Sequence, residues 1–155
     1  MDKDQVLAAQ KTWGDGIVAI GAAFTNKGDY VARAREHIDT LYAYGDGREV
    51  LFKPTKCEHI QFRPTLTGAL SYFVGSSDSI PGFPEDKGFA IAPYTAVRFE
   101  NAGIIINGDR ALAMGNYFFT SPDGTETKVE YTFGYVMIDG AVRIELHHSA
   151  LPFKN

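Results

Sequence analysis

One cysteine, Cys57, in 155 residues rules out an internal disulfide and leaves the redox compartment open. No apolar run approaches the roughly 18 residues of a membrane-spanning helix. Basic residues are scattered and outnumbered, 15 Lys and Arg against 19 Asp and Glu, for a net charge of −4. Phosphate recognition needs clustered cations, so no nucleic-acid partner is expected. The first residues, MDKDQVLAAQ, carry acids where a secretory signal carries bases, and no apolar segment follows. The chain therefore reads as cytoplasmic as given; a targeting segment removed beforehand would leave the same picture. Familiar chemical motifs are missing too. There is no phosphate-cradling glycine loop, no GxSxG, no CxxC and no HExxH.

What is present is length enough for one core and a 45% hydrophobic, 22% charged composition. A single domain over residues 1–155 is expected. Val6, Trp13, Ile17, Ile20 and Phe24 form one apolar stripe on a long helix, with Gly28 at its stop. Asp29 caps a second helix carrying Val31, Ala34, Ile38 and Leu41 and ending near Gly45. GREVLFKPT reads as a short strand broken by Pro54. Thr65 caps a short helix, LTGALSYFV, and residues 75–93 read as a surface loop.

The second half alternates. Strand-like runs cover about 94–106, 109–120, 126–138 and 141–150, separated by Asn107-Gly108, Pro122-Asp123-Gly124 and Asp139-Gly140 turns. Helices first and an antiparallel meander after make an α+β layout, a curved sheet wrapped around the long first helix. A two-residue Asp139-Gly140 loop pairs Ile138 with Ala141. Outward from it, one face carries Met137/Val142, Tyr135/Ile144, Phe133/Leu146 and Tyr131/His148. The other carries Val136/Arg143, Gly134/Glu145, Thr132/His147 and Glu130/Ser149. The first face is core, and the second faces solvent, a partner subunit or a wet pocket.

Two of the four histidines stand together near the end, in RIELHHSALPF. A strand-end imidazole often bonds only a backbone carbonyl. Thr55 after Pro54 can be a turn hydroxyl, and Tyr72 a core aromatic with its hydroxyl at the rim. Cys57 and His59, with His147 or His148, could hold zinc, although the spacing matches no standard zinc pattern; a small buried hydrophobe is the preferred reading of Cys57. Arg63, Lys53 and Lys56 read as solvated charges. If these groups converge, three hydroxyls and one imidazole suit a small oxyanion or an activated water.

Four blocks, AYGDGREVLFKPTK, IQFRPTLTGALSYFVG, EDKGFA and HHSALPF, together resemble the metal-free iota class of carbonic anhydrases. That class lies within the nuclear-transport-factor-2-like superfamily, in the branch related to the calcium/calmodulin-dependent kinase II association domain. The resemblance implies a cone-shaped fold, a pocket between sheet and helices, and usually a homodimer. It implies CO2 and bicarbonate as substrates, with no metal and no cofactor. By matching blocks, Thr55, Tyr72, His147 and Ser149 become the candidate catalytic residues, with His147 the base that takes a proton from a water directly or through a hydroxyl relay, and Thr55, Tyr72 and Ser149 the substrate contacts. The family often ends His-His-Ser-Ser, where this chain has Ala150. A non-catalytic oligomerisation or ligand-binding domain, or an isomerase or dehydratase using Glu130 or Glu145, are the alternatives. One tension remains open at this stage. The paired register puts His147 and Ser149 opposite the core, unless the strand is bulged, the polar face curls inward, or His148 is the pocket imidazole.

Overall fold

The computed structural model describes residues 1–45 and 47–155. Its elements run α1 (Lys3–Thr25), α2 (Tyr30–Leu41), β1 (Leu51–Lys53), α3 (Leu66–Val74), a 3-10 turn (Phe89–Ile91), β2 (Ala96–Asn107), β3 (Arg110–Thr120), β4 (Glu126–Ile138) and β5 (Ala141–Ala150). The helices start where side-chain oxygens meet their orphan N–H groups. Asp2 accepts from Gln5 N in a full capping box, Asp29 from Ala32 N, and Thr65 from Gly68 N. Helix α1 stops with the Gly28 N–H on Ala23 O at 2.8 Å, but Lys27, at φ 57°, takes the left-handed position. Helix α2 ends at Leu41, earlier than the sequence suggested.

The sheet is open, in the order β1-β5-β4-β3-β2. Strands β2 to β5 form the expected meander. Asp139 and Gly140 both have positive φ, 50° and 78°, as a two-residue hairpin turn of the primed type requires. Strand β1 adds a parallel edge, pairing Phe52 with His147 and Lys53 with His148.

Helix α1 lies across the concave face. Trp13 alone reaches four strands, with its ring 5.6–6.2 Å from Phe99, Tyr117, Phe119, Phe133 and His147. Val6, Ile17 and Ile20 are fully buried beside it, each worth about 1.5–3 kcal/mol. Phe24 contributes less. It is 41% exposed and packs edge-on against Tyr30 at the helix end.

Three expectations are corrected. The β4–β5 register follows the hairpin only as far as Tyr135↔Ile144. It then slips by one residue, so Gly134 pairs with Leu146, Phe133 with His147, Thr132 with His148, Tyr131 with Ser149 and Glu130 with Ala150. Glu145 is the extra residue of a β-bulge. The bulge reverses the faces: His147 and Ser149 point into the cone and are buried, while His148 points outward and is exposed. Arg63, expected in solvent, is 0% exposed. The loop over 75–93 is also less superficial than its composition implied, since Asp86, Gly88 and Ala90 are buried.

Candidate active site

Strand β1 is only three residues long because Pro54, with no N–H to give, ends the ladder. Its parallel register carries the chain on beside the end of β5. There Thr55 Oγ1 donates to Ser149 Oγ at 2.8 Å. On the far side of Pro54, the Lys56 N–H donates to the Tyr72 hydroxyl at 3.4 Å. An early strand end, a short helix and the last strand thus bring three hydroxyls into one region.

His147 sits behind them. Its ring lies between Phe133, with centroids 4.1 Å apart, and Phe52, at 4.7 Å and 11°. Strands β4 and β1 therefore clamp the imidazole from both sides. Nδ1 meets the Tyr42 hydroxyl at 2.9 Å, and Nε2 meets the Tyr117 hydroxyl at 3.2 Å. The Tyr117 hydroxyl also bonds Ser149 Oγ. At the other end, Trp13 Nε1 donates to Tyr42 at 3.0 Å. One continuous chain results: Trp13, Tyr42, His147, Tyr117, Ser149, Thr55.

Burial sets the charge state of the phenols and the imidazole here. It pushes the Tyr42, Tyr117 and Tyr72 hydroxyls above the usual phenol range. It holds His147 well below 6.5, with His148 and His37 adding to the effect. The phenols are therefore neutral donors and the imidazole is neutral at ordinary pH.

A cleft of about 410 Å³ reaches this region at Tyr72 and Lys56. Tyr72 and Lys56 line one part of it, Phe89, Ile91 and Ala92 supply apolar surface, and Glu85 and Lys87 stand among its polar groups. Glu85 accepts backbone N–H groups from Ile60, His59 and Glu58, which hold its carboxyl down to about 2. Under the cleft, Arg63 forms a two-pronged pair with Asp86 at 2.6 and 2.8 Å. It also donates to Ile60 O and Gly68 O, both at 2.9 Å, and Ser71 donates to Asp86. This buried pair ties the segment after β1 to α3 and to the loop before the 3-10 turn.

Residues 4–151 match the model of the metal-independent carbonic anhydrase family. The chain belongs to that family. It is 44% identical over 156 residues to a metal-independent carbonic anhydrase of Nostoc sp. (strain PCC 7120 / SAG 25.82 / UTEX 2576), covering 98% of this chain and 74% of that protein. It superposes on a cyanobacterial iota-carbonic anhydrase, solved in complex with bicarbonate, with a TM-score of 0.93 at 42% identity, covering 100% of this chain and 94% of the other. A putative calcium/calmodulin-dependent kinase II association domain from Xanthomonas campestris shares the fold, with a TM-score of 0.67 at 19% identity, covering 100% and 91%.

Within this metal-independent carbonic anhydrase, the candidate residues occupy different depths. Thr55 and Ser149 touch, Tyr72 joins them through the backbone of Lys56, and His147 joins only through Tyr117. The zinc alternative finds no support in the geometry. His59 has a 74% exposed side chain and His148 lies on the outer face. Among the described residues no three His, Cys, Asp or Glu side chains are placed to hold a metal. Neither acid named for the isomerase alternative is in the cleft, since Glu130 is exposed and Glu145 pairs with Arg110 at 3.0 Å, and the buried Asp86 is taken up by Arg63. Sequence reasoning missed Trp13, Tyr42 and Tyr117 as members of the site. The alternation of β3 put Tyr117 on the inner face with Ala111, Ala113 and Phe119, and that was the available signal.

Proposed function

We propose that this chain catalyses the reversible hydration of CO2 to bicarbonate without a metal. The carrying observation is the Thr55–Ser149 hydroxyl pair, joined through the Lys56 backbone to Tyr72, whose ring lines a cleft with an apolar wall. The bicarbonate in the related cyanobacterial structure supports the same reading. CO2, which is nonpolar, rests against Phe89, Ile91 and Ala92 and needs no charged anchor. A water held by the hydroxyls of Thr55, Tyr72 and Ser149 attacks its carbon. One C=O π bond opens to an oxyanion, and one water proton leaves through the hydroxyls to bulk water. His147 acts on this path through the Tyr117 relay. Neutral and buried, it orients the relay and does not store the proton.

The magnitudes are adequate. One preorganised oxyanion donor contributes about 10²–10³, and three hydroxyls converge on this site. A zinc hydroxide, turning over near about 10⁶ per second, remains faster because the metal lowers the water pKa to about 7. Stopped-flow CO2 hydration should exceed buffer and survive a strong chelator. A rate no higher than buffer removes the enzyme, and loss on chelation removes its metal independence.

The homodimer reading gains support from the outer face of the sheet. One register row runs Leu51–Leu146–Gly134–Leu112–Ile105 across all five strands. Leu51, Ile105, Leu112 and neighbouring Met114 are 67, 66, 52 and 58% exposed, an unusual apolar density for a surface. Charges gather at the ends of the strands: Arg98, Glu100 and Glu126 at one, Arg110 and Glu145 at the other. The four long strands, about 4.8 Å apart and roughly eleven residues long, present about 700 Å², close to one side of a stable interface. A second copy of this chain, face to face, covers it.

A further inference from the structure

We infer that Trp13 and Tyr42 are positioning residues that fix the tautomer of His147 and thereby leave the hydroxyl hydrogen of Ser149 free for substrate. The inference rests on the proposed function for its consequence, but on hydrogen-bond direction alone for its content. An indole N–H donates and never accepts, and a phenol has one hydrogen to give. Trp13 donates to the Tyr42 oxygen at 3.0 Å, and among the described residues the Tyr42 hydroxyl has one further partner, His147 Nδ1 at 2.9 Å. The Tyr42 hydrogen therefore goes to Nδ1. The alternative, Nδ1 donating to Tyr42, strands a buried hydroxyl hydrogen, a difference of roughly 5- to 150-fold in population.

With Nδ1 accepting, the proton of the neutral ring is on Nε2. Nε2–H then donates to Tyr117 at 3.2 Å, and Tyr117 turns its own hydrogen to Ser149. Thr55 donates to the same oxygen at 2.8 Å. Ser149 Oγ thus accepts twice, and its hydrogen is the one member of the chain without a partner. It is the donor that meets an incoming oxyanion. With the other tautomer, Tyr117 would give its hydrogen to Nε2 and draw the serine hydrogen inward, away from substrate. The direction of the whole relay is set at its far end, by a helix residue that never touches the cleft.

The test reads the tautomer directly. Long-range proton–nitrogen correlation on nitrogen-15 histidine-labelled protein should show a pyrrole-type Nε2 and a pyridine-type Nδ1 for His147. In Trp13→Phe, which deletes the N–H, the two nitrogen shifts should move toward each other, and kcat/KM for CO2 hydration should fall by about tenfold. In a Tyr117→Phe background the shifts should still respond to Trp13→Phe, while kcat/KM should drop no further. An isosteric benzothienyl side chain at position 13 removes the donor at constant volume and repeats the test should the phenylalanine variant fail to fold. A pyridine-type Nε2 in the wild type overturns the assignment. So does donor deletion that leaves both shifts in place. A wild type without hydratase activity overturns the proposed function, and the nitrogen shifts still decide the tautomer.

Discussion

Thr55 Oγ1 and Ser149 Oγ lie 2.8 Å apart although 94 positions separate them in the chain. The contact exists because β1 runs parallel to β5 and Pro54 releases the chain beside Ser149. Thr55→Ala and Ser149→Ala should each lower kcat/KM by roughly 10²–10³, the worth of one oxyanion donor. The double variant should lose far less than the product, since the two hydroxyls act as one unit. Stopped-flow hydration, with circular dichroism to confirm folding, checks both. Additive losses would separate their roles.

The bulge at Glu145 makes a counter-intuitive prediction. Deleting Glu145 leaves Leu146 opposite Gly134 and His147 opposite Phe133, so the site residues still face inward. The lost Glu145–Arg110 pair is exposed and worth about 0–1 kcal/mol. Activity should stay within about tenfold of wild type. If β5 were regularly paired instead, the same deletion would swap its faces and abolish activity.

Arg63 and Asp86 are both fully buried as side chains and bonded twice to each other. Removing either partner strands the other charge, so Arg63→Met or Asp86→Leu should cost about 3–5 kcal/mol in urea unfolding. The double replacement should recover much of that loss. A single variant within about 1 kcal/mol of wild type would contradict the buried pairing.

Two buried imidazoles predict acid sensitivity. Burial lowers His37 from 6.5 to about 3, and His147 falls well below 6.5. Both folded pKa values lie below the unfolded one, so the unfolded chain binds more protons in acid. Stability is complete above about pH 6.5 and declines below it, approaching about 2.7 kcal/mol per pH unit for two protons once the unfolded imidazoles are charged. His37→Leu should halve that slope in chemical unfolding measured against pH. An unchanged slope would mean that His37 is already charged in the folded protein.

On the outer face, Leu112→Asp places a charge in the middle of the apolar row. It should convert a dimer to a monomer in light scattering while leaving the fold intact. A wild type already monomeric at micromolar concentration would dismiss the face as an interface.

Much of this architecture was legible from residues alone. Asp29 and Thr65 cap their helices, and the strands fall within about two residues of their alternating runs. Capping, turn geometry and alternation are short-range effects, governed by a few neighbouring side chains. The register beyond Tyr135 was not legible. Glu145 adopts no left-handed backbone, so no glycine marks the bulge. Its place depends on how the sheet closes around α1 and accepts β1. Arg63 is buried only because Asp86, 23 positions on, comes back to meet it.

By itself the sequence determined the helices, the hairpins, the order of the meander and the residue types available for chemistry, because each follows from local backbone and side-chain preferences. Only the tertiary structure decided which side of the last strand faces inward, that Trp13 and Tyr42 stand behind His147, and that Thr55 reaches Ser149. Those relations depend on long-range packing, where the fit of distant segments, not the character of any one of them, sets the geometry.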